Sequence, residues 1–196
     1  MLPLLEYPEE TITELAARTL GRIGAGRPEV REALVAFIHK EASDVAARSL
    51  AAFGADGLAE AVAMLDGDDE DARYAALWTL ASLGEQAASA VPRLIPLIAQ
   101  EDDVALRQRA IGTAGYIGPK AAAVIPAIMG AFRSEQMPLV ASDASGTMPR
   151  LGQPARDAIL EGLRGSNRIV RLRCAELLQS YHAATQFAFD DLERLL

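Results

Sequence analysis

One cysteine, two histidines and one tryptophan are present in this chain of 196 residues. With Cys174 alone, no internal disulfide can form and no zinc-type cysteine spacing exists. His39 and His182 have no His, Cys or Asp partner at ligand spacing, so neither a metal nor a cofactor is expected. No nucleophile, base and orienting group stand in a recognisable pattern, so no catalytic residue is assigned and no enzyme is expected. Aromatics make up 5% of the chain against 51% hydrophobic residues, so the apolar mass is largely Ala and Leu. That composition favours closely approached helices over a β-sandwich. Basic residues are also short: 19 Lys and Arg face 27 Asp and Glu, a net charge of −8. A phosphate backbone needs a basic surface, so nucleic acid is not the expected partner, although a local basic stripe can exist on an acidic chain. No apolar run approaches the roughly 20 residues of a membrane span. The opening MLPLLEYPEE has no basic segment and turns acidic by Glu6, unlike a signal peptide. A soluble, cytoplasmic protein away from membranes is the expectation.

What the chain does have is a repeated unit, clearest in residues 68–100, DDEDARYAALWTLASLGEQAASAVPRLIPLIAQ. The spacing of Ala72, Ala75, Ala76, Thr79, Leu80 and Leu83 predicts a helix from about 70 to 83 with one small, apolar stripe. Gly84 follows, where a left-handed cap costs glycine least. A second helix is predicted over about 88–99, carrying Val91, Leu94, Ile95, Leu97 and Ile98. Neither helix can bury its stripe alone.

The copies appear when the closing glycines are aligned. Gly24, Gly54, Gly84, Gly118 and Gly152 lie 30, 30, 34 and 34 residues apart, and a further 30 reaches His182. Eight residues before each anchor stand Ala16, Ala46, Ala76, Ala110, Ala144 and Cys174. All are small, as close helix packing requires. Five before the anchor stand Thr19, Ser49, Thr79, Thr113, Thr147 and Leu177; one before it stand Ile23, Phe53, Leu83, Ile117, Leu151 and Tyr181. Such a period predicts an all-α solenoid of about six helix pairs in one domain, residues 1–196, with units near 11–40, 41–67, 68–100, 101–134, 135–165 and 166–196. Leu2, Leu4 and Leu5 are expected to fold over the first unit. The fifth first-helix, with Gly146 and Pro149, is expected to be short or bent.

The stretch ARYAALWTLASLG, residues 72–84, followed by AVPRLIPLI, residues 90–98, resembles the short HEAT-like repeat of bacterial proteins named after phycobilisome lyases. In that pattern Arg73, the paired Ala75 and Ala76, Leu80 and Gly84 take the Arg, Ala-Ala, Leu and Gly places; Arg107 and Arg171 share the place of Arg73, and Thr13, Ser43 and Ala141 depart from it. The resemblance implies a right-handed α-α superhelix, first helices convex and second helices concave. It implies little about function, since scaffolds, chaperone-like factors and a few enzymes share the repeat. The di-iron enzymes among its relatives, the deoxyhypusine hydroxylases, need His-Glu dipeptides, and this chain has none. A HEAT-like DNA glycosylase reading is opposed by the charge.

Three groups of residues stand out. The acidic runs Asp66–Asp71 and Glu101–Asp103 are read as caps and dipole partners for the helices that follow them. Arg109, Asp143 and Arg173 occupy one column in successive units and are expected to form a structural charge ladder, from which loss of Asp143 would cost a few kcal/mol. Tyr74 and Trp78, four apart, share a face that elsewhere carries Glu14 and Arg18 or Asp44 and Arg48, and Tyr116 lies on the corresponding surface of the next unit. These aromatics are the candidate partner-binding residues. The second helices carry both charge signs, among them Glu32, His39, Glu60, Arg93, Arg156 and Glu161, which suits a protein or peptide partner.

The function expected is a non-catalytic protein-binding scaffold. The alternatives are a bilin lyase-like or chaperone-like factor acting on a partner protein and, against the charge, a nucleic-acid binder. Phe187, Phe189, Leu195 and Leu196 crowd an end that a solenoid would cap with polar residues, so a homo-oligomer through the C-terminal end, or a chain belonging to something larger, is expected.

Overall fold

The structure, a computed structural model, describes residues 2–100, 102–133 and 139–181. Among these every regular element is helical. The helices come in pairs: α1 (Glu10–Ile23) with α2 (Pro28–Glu41), α3 (Asp44–Leu50) with α4 (Ala55–Leu65), α5 (Glu70–Leu83) with α6 (Val91–Gln100), α7 (Val104–Ile117) with α8 (Ile125–Ala131), and α9 (Leu139–Thr147) with α10 (Gln153–Arg164). Helix α11 (Arg168–Tyr181) opens the sixth pair. Its expected partner and the C-terminal residues Phe187, Phe189, Leu195 and Leu196 lie outside the described residues.

Side chains start several of these helices where the sequence places a cap. Ser43 accepts from the Ala46 N–H at 3.2 Å, Asp69 from Ala72 at 3.1 Å, Asp103 from Ala105 and Leu106 at 2.7 and 3.1 Å, and Asn167 from Ile169 and Val170 at 2.9 and 3.1 Å. The acidic runs thus satisfy amide donors that a helix cannot satisfy itself. At the other end the closing glycine is more demanding than a left-handed cap. Gly84 has φ 56 and ψ −130, a region open essentially to glycine alone. It leads into a 3-10 stretch, Gly84–Ala90, rather than directly into α6, and Gly118–Val124 repeats the arrangement before α8. The first pair differs: Gly24 has an ordinary φ of −94 and Gly26 makes the positive-φ turn, so Ile23 is 62% exposed where its column-mates Leu83, Ile117 and Leu151 are buried.

The chain groups into two compact bodies, residues 1–93 and 94–196, a division falling inside the third helix pair. Repeat arrays have no single centre, since each unit packs only on its neighbours. In the first body α1 packs on α3 and α3 on α5, with α2 and α4 against them; the 3-10 turn Leu2–Glu6 lies on α1 and buries Leu5. In the second body α7 packs on α9 and α9 on α11, with α10 against α11 and α8 against α10. This side-by-side stacking of first helices is that of an α-solenoid.

The small-residue column lies where that stacking needs it. Ala16, Ala46, Ala76, Ala110, Ala144 and Cys174 are all buried. Apolar side chains fill the rest of each seam, among them Leu34, Leu50 and Leu80 in the first body and Ile111, Ile128 and Phe132 in the second. In the fifth pair α9 ends at Thr147, and Pro149 lies in the 3-10 turn Met148–Leu151 that follows, where α5 and α7 run as α-helix up to their closing glycines. Pro96 lies within α6, which continues through it.

Candidate functional site

The aromatic candidates sit on first helices, and Trp78 and Tyr116 each meet an arginine. Tyr74 and Trp78 are half-buried on α5. The Arg48 guanidinium, carried by α3, stands 4.7 Å from the centre of the Trp78 ring. Arg48 is the residue one repeat before Trp78 in the same column, and it is also ion-paired to Asp44 one turn earlier on its own helix. In the second body Tyr116 on α7 is 55% exposed. The guanidinium of Arg150, its column-mate one repeat later, stands 5.2 Å from the ring centre. In both bodies, therefore, stacking of first helices brings a cation over an aromatic face at the surface, an attraction worth about 0.5–1 kcal/mol at exposed sites.

The ladder residues are all on first helices of the second body. Asp143 on α9 is half-buried, and burial pushes its carboxyl above the usual carboxylate range. Gln108, hydrogen-bonded to it, and the cation of Arg107 pull in the opposite direction. Its Oδ2 has no hydrogen-bond partner among the described residues. Arg109 is half-buried on α7. Arg173 on α11 is ion-paired to Glu176 of the same helix at 3.1 Å. Arg171, in the place of the repeat pattern's arginine, donates to the carbonyls of Gly165 and Ser166 at 2.9 and 2.8 Å, which ties the start of α11 to the end of α10.

On the second helices of the first body the mixed charges are largely spent on one another. Arg31 on α2 meets Asp56 and Glu60 of α4 at 2.9 and 3.2 Å. Arg93 on α6 meets Asp66 at 3.2 Å. His39, near the end of α2, meets the capping carboxylate Asp69 at 2.8 Å, and this contact together with the Ala72 N–H holds the Asp69 carboxyl below its ordinary range. Among the described residues no three His, Cys, Asp or Glu side chains come together as a metal site, and no helix is long and apolar enough to cross a membrane.

Residues 1–93 contain sixteen Asp and Glu against eight Lys and Arg, while residues 94–196 contain eleven of each, so the first body carries the whole net charge. Yet a groove of about 540 Å³ between α1 and α3 is lined by Arg18, Arg22 and Arg48, and no acidic side chain lines it. Gly21 and Ser49 form its floor, so close that a Cβ on Gly21 would lie 2.6 Å from the Ser49 Cβ. Glu14, one turn before Arg18, suggests in sequence a pair that neutralises it. In the structure neither Arg18 nor Arg22 has an acidic partner within 4 Å among the described residues, and both are exposed. The available signal was the i, i+4 spacing of Arg18 and Arg22 with Arg48 as column-mate of Arg18.

Stacked helix pairs with these seams and glycine turns define a helical-repeat fold. Residues 72–100 match the family described as PBS lyase HEAT-like repeat, the stretch whose Arg, Ala-Ala and Gly pattern marks it in sequence, so the chain carries a HEAT-like repeat. No curated protein matches the chain. Similar solved structures include an engineered protein (18% identity over 91% of this chain and 96% of that one, TM-score 0.48). Two others are designed armadillo repeat proteins. One, in complex with the peptide (KR)4, is 17% identical over 92% and 97%, with a TM-score of 0.48; the other is 16% identical over 91% and 97%, with a TM-score of 0.43.

Proposed function

We propose that this chain is a non-catalytic scaffold that binds a protein or peptide partner on the surface of its first helices. The observation that carries the reading is the recurrence of arginine over an aromatic ring, Arg48 on Trp78 and Arg150 on Tyr116, at the surface of both bodies. Trp, Tyr and Arg dominate the energetics of protein interfaces because each offers a large, stiff, amphipathic contact area. Packed helices hold such side chains in place before the partner arrives, so little ordering cost remains at docking. The acidic balance of the first body favours a protein partner over a phosphate backbone.

The test uses Ser82, exposed one turn after Trp78. A photo-crosslinking amino acid at that position, activated in the native host, should capture a defined protein identifiable by mass spectrometry. Capture should fall sharply in the Tyr74→Ala, Trp78→Ala double variant. Undiminished capture by the double variant would discard the aromatic surface as the binding site.

A further inference from the structure

We infer that the α1–α3 groove receives an acidic peptide segment of the partner, with Arg18, Arg22 and Arg48 as the recognising side chains. The inference rests on the scaffold reading above and adds the chemistry of what is bound. Three guanidinium groups border one groove, and two of them, Arg18 and Arg22, have no acidic partner within 4 Å among the described residues. This is unusual on a body with twice as many acids as bases, where the arginines at 31 and 93 are each paired with carboxylates. Unspent guanidinium forks match carboxylates in shape and charge. The floor is made of small residues, Gly21, Ser49 and Ala52, so a peptide backbone can lie close between the arginine walls. At one end Arg48 is stacked on Trp78, which places the proposed groove beside the aromatic surface. A short acidic segment can meet the three cations locally; a long polyanion such as nucleic acid would run out over the acids that dominate the rest of this body.

Trp78 is the only tryptophan in the chain, so its emission reports on the groove without a label. The full chain is titrated with hexaglutamate at low ionic strength, following Trp78 emission and, in parallel, the anisotropy of fluorescein-labelled hexaglutamate. Saturable binding is expected, with none for hexalysine and with loss at high salt, where screening lengths fall to a few Å. The Arg18→Glu, Arg22→Glu double variant should bind about tenfold more weakly or worse. Both side chains are exposed, and circular dichroism of the variant should match the parent. Arg168→Glu, at an exposed position in the other body, should leave binding unchanged. The inference is overturned if the parent chain does not bind hexaglutamate, if the double variant binds equally well, or if oligothymidylate of equal charge binds as tightly, which would assign the groove to nucleic acid. Should any of these occur while crosslinking from Ser82 still captures a protein through Trp78 and Tyr74, the groove inference falls and the scaffold reading stands. Loss of that capture as well would remove both.

Discussion

Thr79 Oγ1 donates a hydrogen bond to the main-chain carbonyl of Ala47, 2.8 Å away, from α5 to α3. Thr147 makes the same bond in the second body, to the carbonyl of Ile111 at 3.1 Å, from α9 to α7. In both cases the donor stands five residues before its closing glycine and the acceptor seven before the glycine of the preceding repeat. Thr79 and Thr147 are therefore register devices between neighbouring first helices, each buried hydroxyl locking one repeat to the one before it within its own body.

Thr79→Val keeps shape and removes the donor, which leaves a buried carbonyl with one partner fewer. A loss of about 1–3 kcal/mol in urea unfolding is expected, and a similar loss for Thr147→Val. Thr19 instead bonds the Leu15 carbonyl within its own helix at 2.7 Å and is less buried. Thr19→Val should stay within about 0.5 kcal/mol of the parent. Equal losses at positions 19 and 79 would remove the register role.

Two glycines should fail on substitution for different reasons. Gly84→Ala has an expected cost of about 1–3 kcal/mol from backbone strain at φ 56. Gly21→Ala drives a Cβ to 2.6 Å from the Ser49 Cβ, and this clash should outweigh the helix-propensity gain of roughly 1 kcal/mol. Adding Ser49→Gly should recover part of the stability lost with Gly21→Ala and none lost with Gly84→Ala. A double-mutant cycle measured by chemical unfolding separates the two.

Burial pushes the Cys174 thiol up to about 11. The thiolate, the reactive form, is thus suppressed in the folded chain as well as shielded. A thiol-specific disulfide reagent near neutral pH should label native protein slowly and unfolded protein at once. Because the fold favours the neutral thiol, the associated stability is complete below the ordinary pKa of 9.0 and declines as pH rises above it. Immediate labelling of the native chain would contradict the buried position.

Asp69 behaves in the opposite sense. Its carboxyl is held low by His39 and by the Ala72 N–H, so its contribution is complete above the ordinary value of 3.8 and is lost as pH falls through the lower folded value. The fall in melting temperature on acidification should be shallower for Asp69→Asn than for the parent, and His39→Ala should move the Asp69 titration upward by NMR.

For Asp143 the sign reverses again. Burial raises its carboxyl above 3.8, so ionisation disfavours the fold as pH rises through that range. Asp143→Asn should therefore equal or exceed the parent in stability at neutral pH, with the advantage vanishing under acid conditions. A charge-ladder role predicts a loss of a few kcal/mol instead. Unfolding midpoints of the two chains at neutral and acid pH decide between them.

Much of the stacking is legible in sequence because packing demands are periodic. A residue facing its neighbour must be small in every unit, and Ala16 to Cys174 are small and buried without exception. The closing glycines show equally well, since only glycine tolerates the dihedrals of the turn after Leu83 or Ile117. The irregular fifth pair could be read from Gly146 and Pro149. Less legible was the first pair, where two nearby glycines, Gly24 and Gly26, offer the same turn and local geometry selects the second.

By itself, the sequence determined the helix pairs, their caps and the row of small side chains, because those depend on residues fixed in spacing along one chain. Only the tertiary structure decided which charges pair. Arg48 over Trp78, Arg31 against Asp56 and the unspent Arg18 and Arg22 depend on how long, flexible side chains settle between helices, the paired residues lying 25 and 30 apart in sequence. A long charged side chain can reach several partners at nearly equal energy, and helix packing chooses among them.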